Sequence, residues 1–166
     1  MNFDGIARFL AQLTFREGLW LFPLVFTLHV LEELPRFTSW AQRYASDRFT
    51  WHDYIAIHSL GVVVSLLSPA VIWFFPNKAV VFMFFAFVFT PAVFFNTLFH
   101  AGATAVSGVY CPGLLTALTL YLPLFYYLSR LAFREALLND DTAIFALVLA
   151  GVFHAAEVGH NVFKMW

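Results

Sequence analysis

The sequence predicts an all-α integral membrane protein, a helical bundle of about five transmembrane helices preceded by an amphipathic helix at the membrane interface. Of the 166 residues, 61% are hydrophobic and only 11% are charged, and a soluble domain of this length has too little interior to hide so much apolar surface. The apolar residues also fall into runs of roughly 20 residues, the length that crosses a bilayer. No repeat or linker interrupts them, so we expect residues 1–166 to form a single multi-pass domain.

Residues 1–17 differ from the rest because their apolar side chains recur at helical spacing with charged residues between them. This pattern is typical of a helix lying in the membrane interface. The residues that form the apolar stripe are Phe3, Ile6, Phe9, Leu10 and Leu13.

Five predicted spans follow, near residues 18–35, 53–75, 79–101, 112–133 and 142–163. Thr50 and Asp53 have the spacing of a capping box at the start of the second span, and the run Asn139-Asp140-Asp141-Thr142 offers several N-cap choices for the fifth. Prolines inside the spans should kink the helices and open room between them. These are Pro23, Pro69, Pro91 and Pro123.

The run His29-Val-Leu-Glu32-Glu33 places titratable side chains at the end of the first apolar span. Such groups cost several kcal/mol at membrane depth unless something binds them. Because residues three and four apart share one helix face, His29 can act with either carboxylate on one target. The simplest target is a metal ion, so His29, Glu32 and Glu33 are candidate ligands.

A second cluster, His154-Ala-Ala-Glu157-Val-Gly-His160, repeats this chemistry in the fifth span. A glutamate and a histidine three residues apart are how helical bundles present ligands to two-metal centres. His154, Glu157 and His160 are therefore candidate ligands as well. In the third span, His100 is a candidate ligand and Asn96, four residues before it, can orient a ligand or the substrate.

If every span crosses the membrane, these clusters meet in one half of the bilayer. The ends of spans one, three and five then lie beside the starts of spans two and four. His58, two turns into the second span, and Asn161 join the same region as residues that orient a ligand or the substrate. His52 lies in a loop, where a structural role is the simpler interpretation.

Three motifs in order resemble those of the HXXEE domain family of small integral membrane proteins. They are His29-Val-Leu-Glu32-Glu33, Asn96-Thr-Leu-Phe-His100 and Tyr110-Cys-Pro-Gly113. The resemblance implies a membrane-bound enzyme, with no settled substrate. The cluster around Glu157 is identified from its spacing alone.

Mixed imidazole and carboxylate ligands suit zinc, iron or manganese, and the single cysteine excludes a thiolate cluster. Because there are more candidate ligands than one ion needs, we expect a dinuclear centre. We favour a hydrolase of a lipid ester or amide, in which Glu33, nearer to water than Glu32, is the base and Tyr110 donates to an oxyanion. A di-iron hydroxylase or desaturase of acyl chains is the alternative, although the multiple His-rich boxes of the membrane desaturases are missing.

The substrate is expected to be lipophilic, since 22 of the residues are phenylalanine and kinked, aromatic helices can form an apolar cleft. Most of those rings are nevertheless expected to face lipid or pack between helices. A transporter of metal or small molecules is the competing class, but its polar residues should continue across the membrane. The composition gives no reason to expect nucleic-acid binding, and the basic residues are too evenly divided to orient the protein.

Overall fold

The computed structural model describes Gly5 and residues 10–166, and the regular elements among these residues are all helical. About half of the predicted interfacial helix over residues 1–17, namely residues 1–4 and 6–9, lies outside the described residues. Gly5 and residues 10–12 are helical, and the interfacial helix as a whole stays a prediction. Numbered along the described chain, the helices are α1 (Phe15–Gly18), α2 (Leu21–Glu33), α3 (Phe37–Tyr44), α4 (Trp51–Phe74), α5 (Lys78–Ser107), α6 (Leu114–Arg134) and α7 (Asp140–Asn161).

Helices α4 to α7 are each long and apolar enough to cross a membrane. They correspond to the second to fifth predicted spans. The first predicted span, near 18–35, is instead divided between α1 and α2, with a turn at residues 19–20. At 1.5 Å per residue, the 13 residues of α2 extend about 20 Å, less than the roughly 30 Å of a hydrocarbon core.

Together, however, α1 and α2 run from one end of the bundle to the other. At the start, the Phe15 amide donates to Glu135 Oε1 at 2.6 Å and Arg16 lies over the ring of Trp73. At the end, Glu33 lies against His100. Helix length supports four spans, α4 to α7. A further crossing by α1 and α2 together stays a prediction.

Side-chain caps fix where the long helices begin. The capping box of Thr50 and Asp53 at the start of α4 is confirmed. Of the four N-cap candidates for α7, Asn139 is the cap and accepts from the Thr142 amide. Asn77 caps α5 by accepting from the Val80 amide. These caps satisfy amides that have no partner within the helix.

Helices α5 and α6 contain π-helical turns near their prolines. In α5 the turns cover Phe85–Phe89 and Pro91–Phe95, and in α6 the turn covers Ala117–Tyr121, just before Pro123. Proline removes one backbone donor, and π-turns shift the faces of a helix at positions that are often functional. Asn96 and His100 lie on the helical segment that begins directly after the second π-helical turn of α5.

Two buried apolar clusters lie on either side of a polar layer. The larger fills most of the bundle and is rich in phenylalanine, with Phe22, Phe84 and Phe89 in mutual contact. The smaller lies beside the loops and is formed by Phe37, Trp40, Ala41, Phe49, Tyr54, Cys111 and Val162. His29, His58 and His100, with Glu33 among them, lie between the two clusters.

Candidate metal centre

Glu33 is the centre of the polar layer. Its residue is 2% exposed, and imidazoles from three helices surround its carboxylate. Oε1 lies 3.5 Å from His29 Nε2 and 3.1 Å from His100 Nε2, and Oε2 lies 2.6 Å from His58 Nε2. A carboxylate at this depth requires a compensating positive charge, so these imidazoles or a cation held among them must supply it.

The far side of the His29 ring is held by a hydrogen-bond chain. Nδ1 lies 2.9 Å from Thr116 Oγ1. That hydroxyl has the Glu32 carboxylate at 2.5 Å and the Gly113 carbonyl at 3.2 Å, both of which accept. The hydroxyl therefore donates to one of these and accepts from Nδ1–H of His29.

The other two imidazoles are held in the same way. His58 Nδ1 lies 2.7 Å from the Tyr54 carbonyl, which can only accept, so Nδ1 carries the proton. His100 Nδ1 lies 3.3 Å from Cys111 Sγ, which has the Pro112 carbonyl at 3.8 Å. Burial raises the pKa of Cys111, so it is a thiol that can donate to Pro112 and accept from His100.

With Nδ1 held in this way, the Nε2 atoms of the three rings face the Glu33 carboxylate. This is the arrangement of metal-binding histidines, whose second nitrogen donates to an oxygen that sets the tautomer and the ring orientation. Among the described residues, His29, Glu33 and His100 place one ligand atom each within 4.8 Å of one another. These three buried residues can hold a metal ion, and His58 lies beside them.

Asn96 borders the cluster on α5, as its spacing from His100 predicted. Its Nδ2 donates to His29 Nε2 at 3.0 Å, which is consistent with a lone pair on that nitrogen. The ring of Tyr121 stacks on the other face of His29 with centroids 4.4 Å apart. The imidazole is therefore fixed in both position and plane.

Glu32 has a different role from the one expected, because its carboxylate turns away from the imidazoles towards the start of α6. It accepts from the amides of Gly113, Leu115 and Thr116 at 3.1, 3.3 and 2.8 Å. Tyr110 also donates to it. A carboxylate is favourable at a helix N-terminus, so Glu32 caps α6 and ties α2 to it.

The same contacts account for Tyr110, which was expected to donate to an oxyanion. Its hydroxyl is engaged by Glu32 and does not line the cavity described below. Desolvation and the hydrogen bond to Glu32 raise the pKa of Tyr110. It therefore stays a protonated donor at neutral pH.

Gly113 packs directly on the cluster. Its φ is +99°, a conformation that side chains disfavour. A Cβ there would lie 2.6 Å from His100 Cε1, 2.8 Å from His29 Cε1 and 3.0 Å from Glu33 Cγ. The side chains of His29, Glu33 and His100, which belong to the other two motifs, thus require a glycine at position 113.

A cleft of about 440 Å³ leads to the cluster between α4 and α7, with α2 and α5 as its floor. His29, Glu33, His58 and Asn96 line one side near the loops. The volume lies within the usual range of small-molecule sites. The cluster is therefore accessible from the cleft.

The residues of the second predicted cluster, all on α7, do not face the same way. His154, Glu157 and Asn161 line the cleft opposite the first cluster, with His154 Nδ1 3.9 Å from Glu157 Oε2. His160 is exposed and packs against Trp166. The structure therefore brings His154, Glu157 and Asn161 to the site and leaves His160 away from it.

Besides Cys111, three supporting residues were not expected from the sequence. Tyr54 precedes His58 by four residues and Thr116 follows Gly113 by three, so helical spacing from a motif residue was an available signal for both. Tyr121 gave no such signal, because its contact with His29 joins distant parts of the chain. Only the packing of α2 against α6 shows it.

The fold and the cluster define a class: a helical protein with four candidate membrane-spanning helices and a buried group of histidine and glutamate side chains that can hold a metal ion. The chain belongs to the family described as "Protein of unknown function with HXXEE motif", whose model matches residues 20–128. The expected resemblance is therefore confirmed over well more than half of the chain. The match includes all three motifs, whereas His154 and Glu157 lie beyond it.

No curated protein and no solved structure matches the chain.

Proposed function

We propose that the protein is a metal-dependent membrane enzyme that hydrolyses a lipophilic ester or amide. The supporting observation is the convergence of imidazole Nε2 atoms on the buried Glu33 carboxylate, each ring held from behind through Nδ1. A purely structural ion pair does not need three imidazoles in one orientation. A metal site does.

His29, Glu33 and His100 are the proposed protein ligands of one ion, with zinc favoured. Two imidazoles and one carboxylate leave further coordination positions open, as in catalytic zinc sites. Zinc bound in such a site polarises a carbonyl and lowers the pKa of a bound water to about 7. Asn96, next to His29 Nε2, is positioned to orient a substrate or water at the open side.

Proton transfer falls to residues that face the cleft. In hydrolysis the water oxygen bonds to the acyl carbon, and the bond from that carbon to the leaving oxygen or nitrogen breaks. The proton that the water loses ends on the leaving group. Because Glu33 is enclosed by imidazoles, we propose Glu157 as the base that takes and returns this proton, with His154 beside it.

Oxidation of an acyl chain is the second candidate, and the same three ligands favour it. Two histidines and one carboxylate are also the ligand set of non-haem iron oxygenases. This reaction needs dioxygen and a reductant, and one iron suffices. The dinuclear centre expected from the sequence would additionally require His154 and Glu157 to hold a second ion across the cleft.

The test is turnover by purified protein in lipid nanodiscs, with para-nitrophenyl laurate and an N-acyl amide as probes. We expect metal-dependent hydrolysis that His100→Ala abolishes and His160→Ala retains, since His100 contacts Glu33 and His160 lies away from the cluster. Oxygen consumption with iron and a reductant, without hydrolysis, would favour the second candidate. Bound metal without either turnover would overturn the enzyme proposal and favour metal handling.

A further inference from the structure

The cleft is closed at its loop end. Lys164, just after α7, reaches Asp53 in the first turn of α4, with Nζ 2.8 Å from Oδ1. Arg48 donates to the Lys164 carbonyl at 2.6 Å. Beneath these contacts Phe49 and Val162 are buried, so the segments at this end join α4 to α7 and cover the cluster.

Below that closure, α4 and α7 separate. Helix α4 packs mainly on α2, and α7 packs mainly on α5, while the two helices hardly contact each other. Leu60 on α4 and Phe153 on α7 both line the cleft and are 65% and 43% exposed. The cleft therefore opens sideways between two membrane-spanning helices.

Polarity changes along the cleft. Near the loops its walls carry the metal cluster and, across from it, His154 and Glu157. Both ring nitrogens of His154 lack a hydrogen-bond partner although the residue is only 9% exposed. Further along, Phe22, Val64 and Phe87 make the walls apolar.

We infer that this opening admits the hydrocarbon chain of a membrane lipid directly from the bilayer. The chain lies between α4 and α7 and points towards the middle of the membrane, and the carbonyl end lies between the metal cluster and His154. An amphiphile is the ligand that this polarity gradient fits, because its apolar part stays in a medium like lipid while its polar end gains partners. Hydrolysis of this lipid rests on the proposed function, whereas its binding in the cleft does not.

Photo-crosslinking tests the binding without requiring turnover. The probe is a phosphatidylcholine with a diazirine near the end of one acyl chain, incorporated into nanodiscs with the whole protein. We expect label on cleft residues of α4 and α7 in the wild type. We expect the same label in the metal-site variant His100→Ala, so the result does not depend on the enzyme proposal.

Two pairs of variants make the experiment specific. Leu60→Trp should reduce cleft labelling severalfold, whereas Leu66→Trp, also exposed on α4 but outside the cleft, should not. Gly61→Leu should act like Leu60→Trp, because even a Cβ at Gly61 would come 2.5 Å from the tip of the Phe26 ring. Gly102→Leu is its control, since nothing lies within 4 Å there.

Label spread evenly over the lipid-facing surface of all long helices, unchanged by Leu60→Trp, would overturn the inference. Cleft labelling that Leu60→Trp suppresses would support it, even if hydrolysis were never observed. Failure of hydrolysis alone therefore counts only against the proposed reaction.

Discussion

Glu32 and Glu33 are adjacent in the sequence and face different partners. Successive residues of a helix point about 100° apart, so one carboxylate reaches the imidazoles while the other reaches the start of α6. The sequence predicted that both face the metal. It could not separate them, because the amides that bind Glu32 belong to a segment about 80 residues away.

The isosteric variants Glu33→Gln and Glu32→Gln should therefore differ. Glu33→Gln removes the only carboxylate from the cluster, and we expect it to lose bound metal. Glu32→Gln keeps the shape but weakens several charge-assisted hydrogen bonds, so it should retain metal and lose about 1–3 kcal/mol of stability. Metal content and thermal unfolding in detergent measure the two effects, and metal loss in Glu32→Gln alone would reverse the assignment.

Glu157 offers a separate test of the proposed chemistry, since it faces the cleft from α7 and does not contact Glu33. Glu157→Gln should keep metal while lowering turnover of the lipid ester by about 10²–10⁴-fold, the usual size of a general-base contribution. His52 lies in the first turn of α4 and not in the loop expected from the sequence, and it is exposed. His52→Ala is therefore the control and should change neither. A Glu157→Gln protein with full activity would exclude this residue as the base.

The turn before α6 shows how one element builds the site. Gly113 adopts its positive φ so that the chain can pass over the edges of two imidazoles, while the following amides bind Glu32. Two motifs far apart in the sequence are thus one structural unit. The sequence indicated a helix start at Pro112 and Gly113, but the contact with the histidines required the packed structure.

Gly113→Ala and Gly108→Ala are a matched pair for this element. Both glycines have positive φ, +99° and +66°, so each alanine costs about 1–2 kcal/mol of backbone strain. Only at Gly113 does the new Cβ also collide with His29 and His100. We expect Gly113→Ala to lose metal and Gly108→Ala to keep it, and equal metal retention would mean that the turn does not position the cluster.

For the molecule as a whole, the sequence predicted the helical class and the caps of α4 and α7 correctly because apolar runs and capping residues are local signals. The number of crossings was harder to predict, since a turn at residues 19–20 breaks the first apolar run, and the two short helices on either side of it pack against α4 and α6. The convergence of the motifs at one end of the bundle followed from alternating spans. Glu33, His58 and His100 lie together as that reasoning required.

Single cysteines and a membrane-impermeant maleimide test the fifth crossing in intact cells or sealed vesicles. In a background without the buried Cys111, Gln12→Cys and Asn77→Cys should be labelled from one side and Ser46→Cys and Val109→Cys from the other. This pattern follows because α1 and α2 run the length of the bundle. Labelling of Gln12→Cys from the same side as Ser46→Cys would show that they do not cross.

The central claim is that His29, Glu33 and His100 hold a metal ion, and elemental analysis of purified protein never exposed to chelator tests it most directly. We expect about one equivalent of zinc, iron or manganese per chain, consistent with one three-ligand site. This metal should be lost in His100→Ala and retained in His160→Ala. Wild-type protein without a stoichiometric transition metal, or equal metal content in the two variants, would contradict the claim.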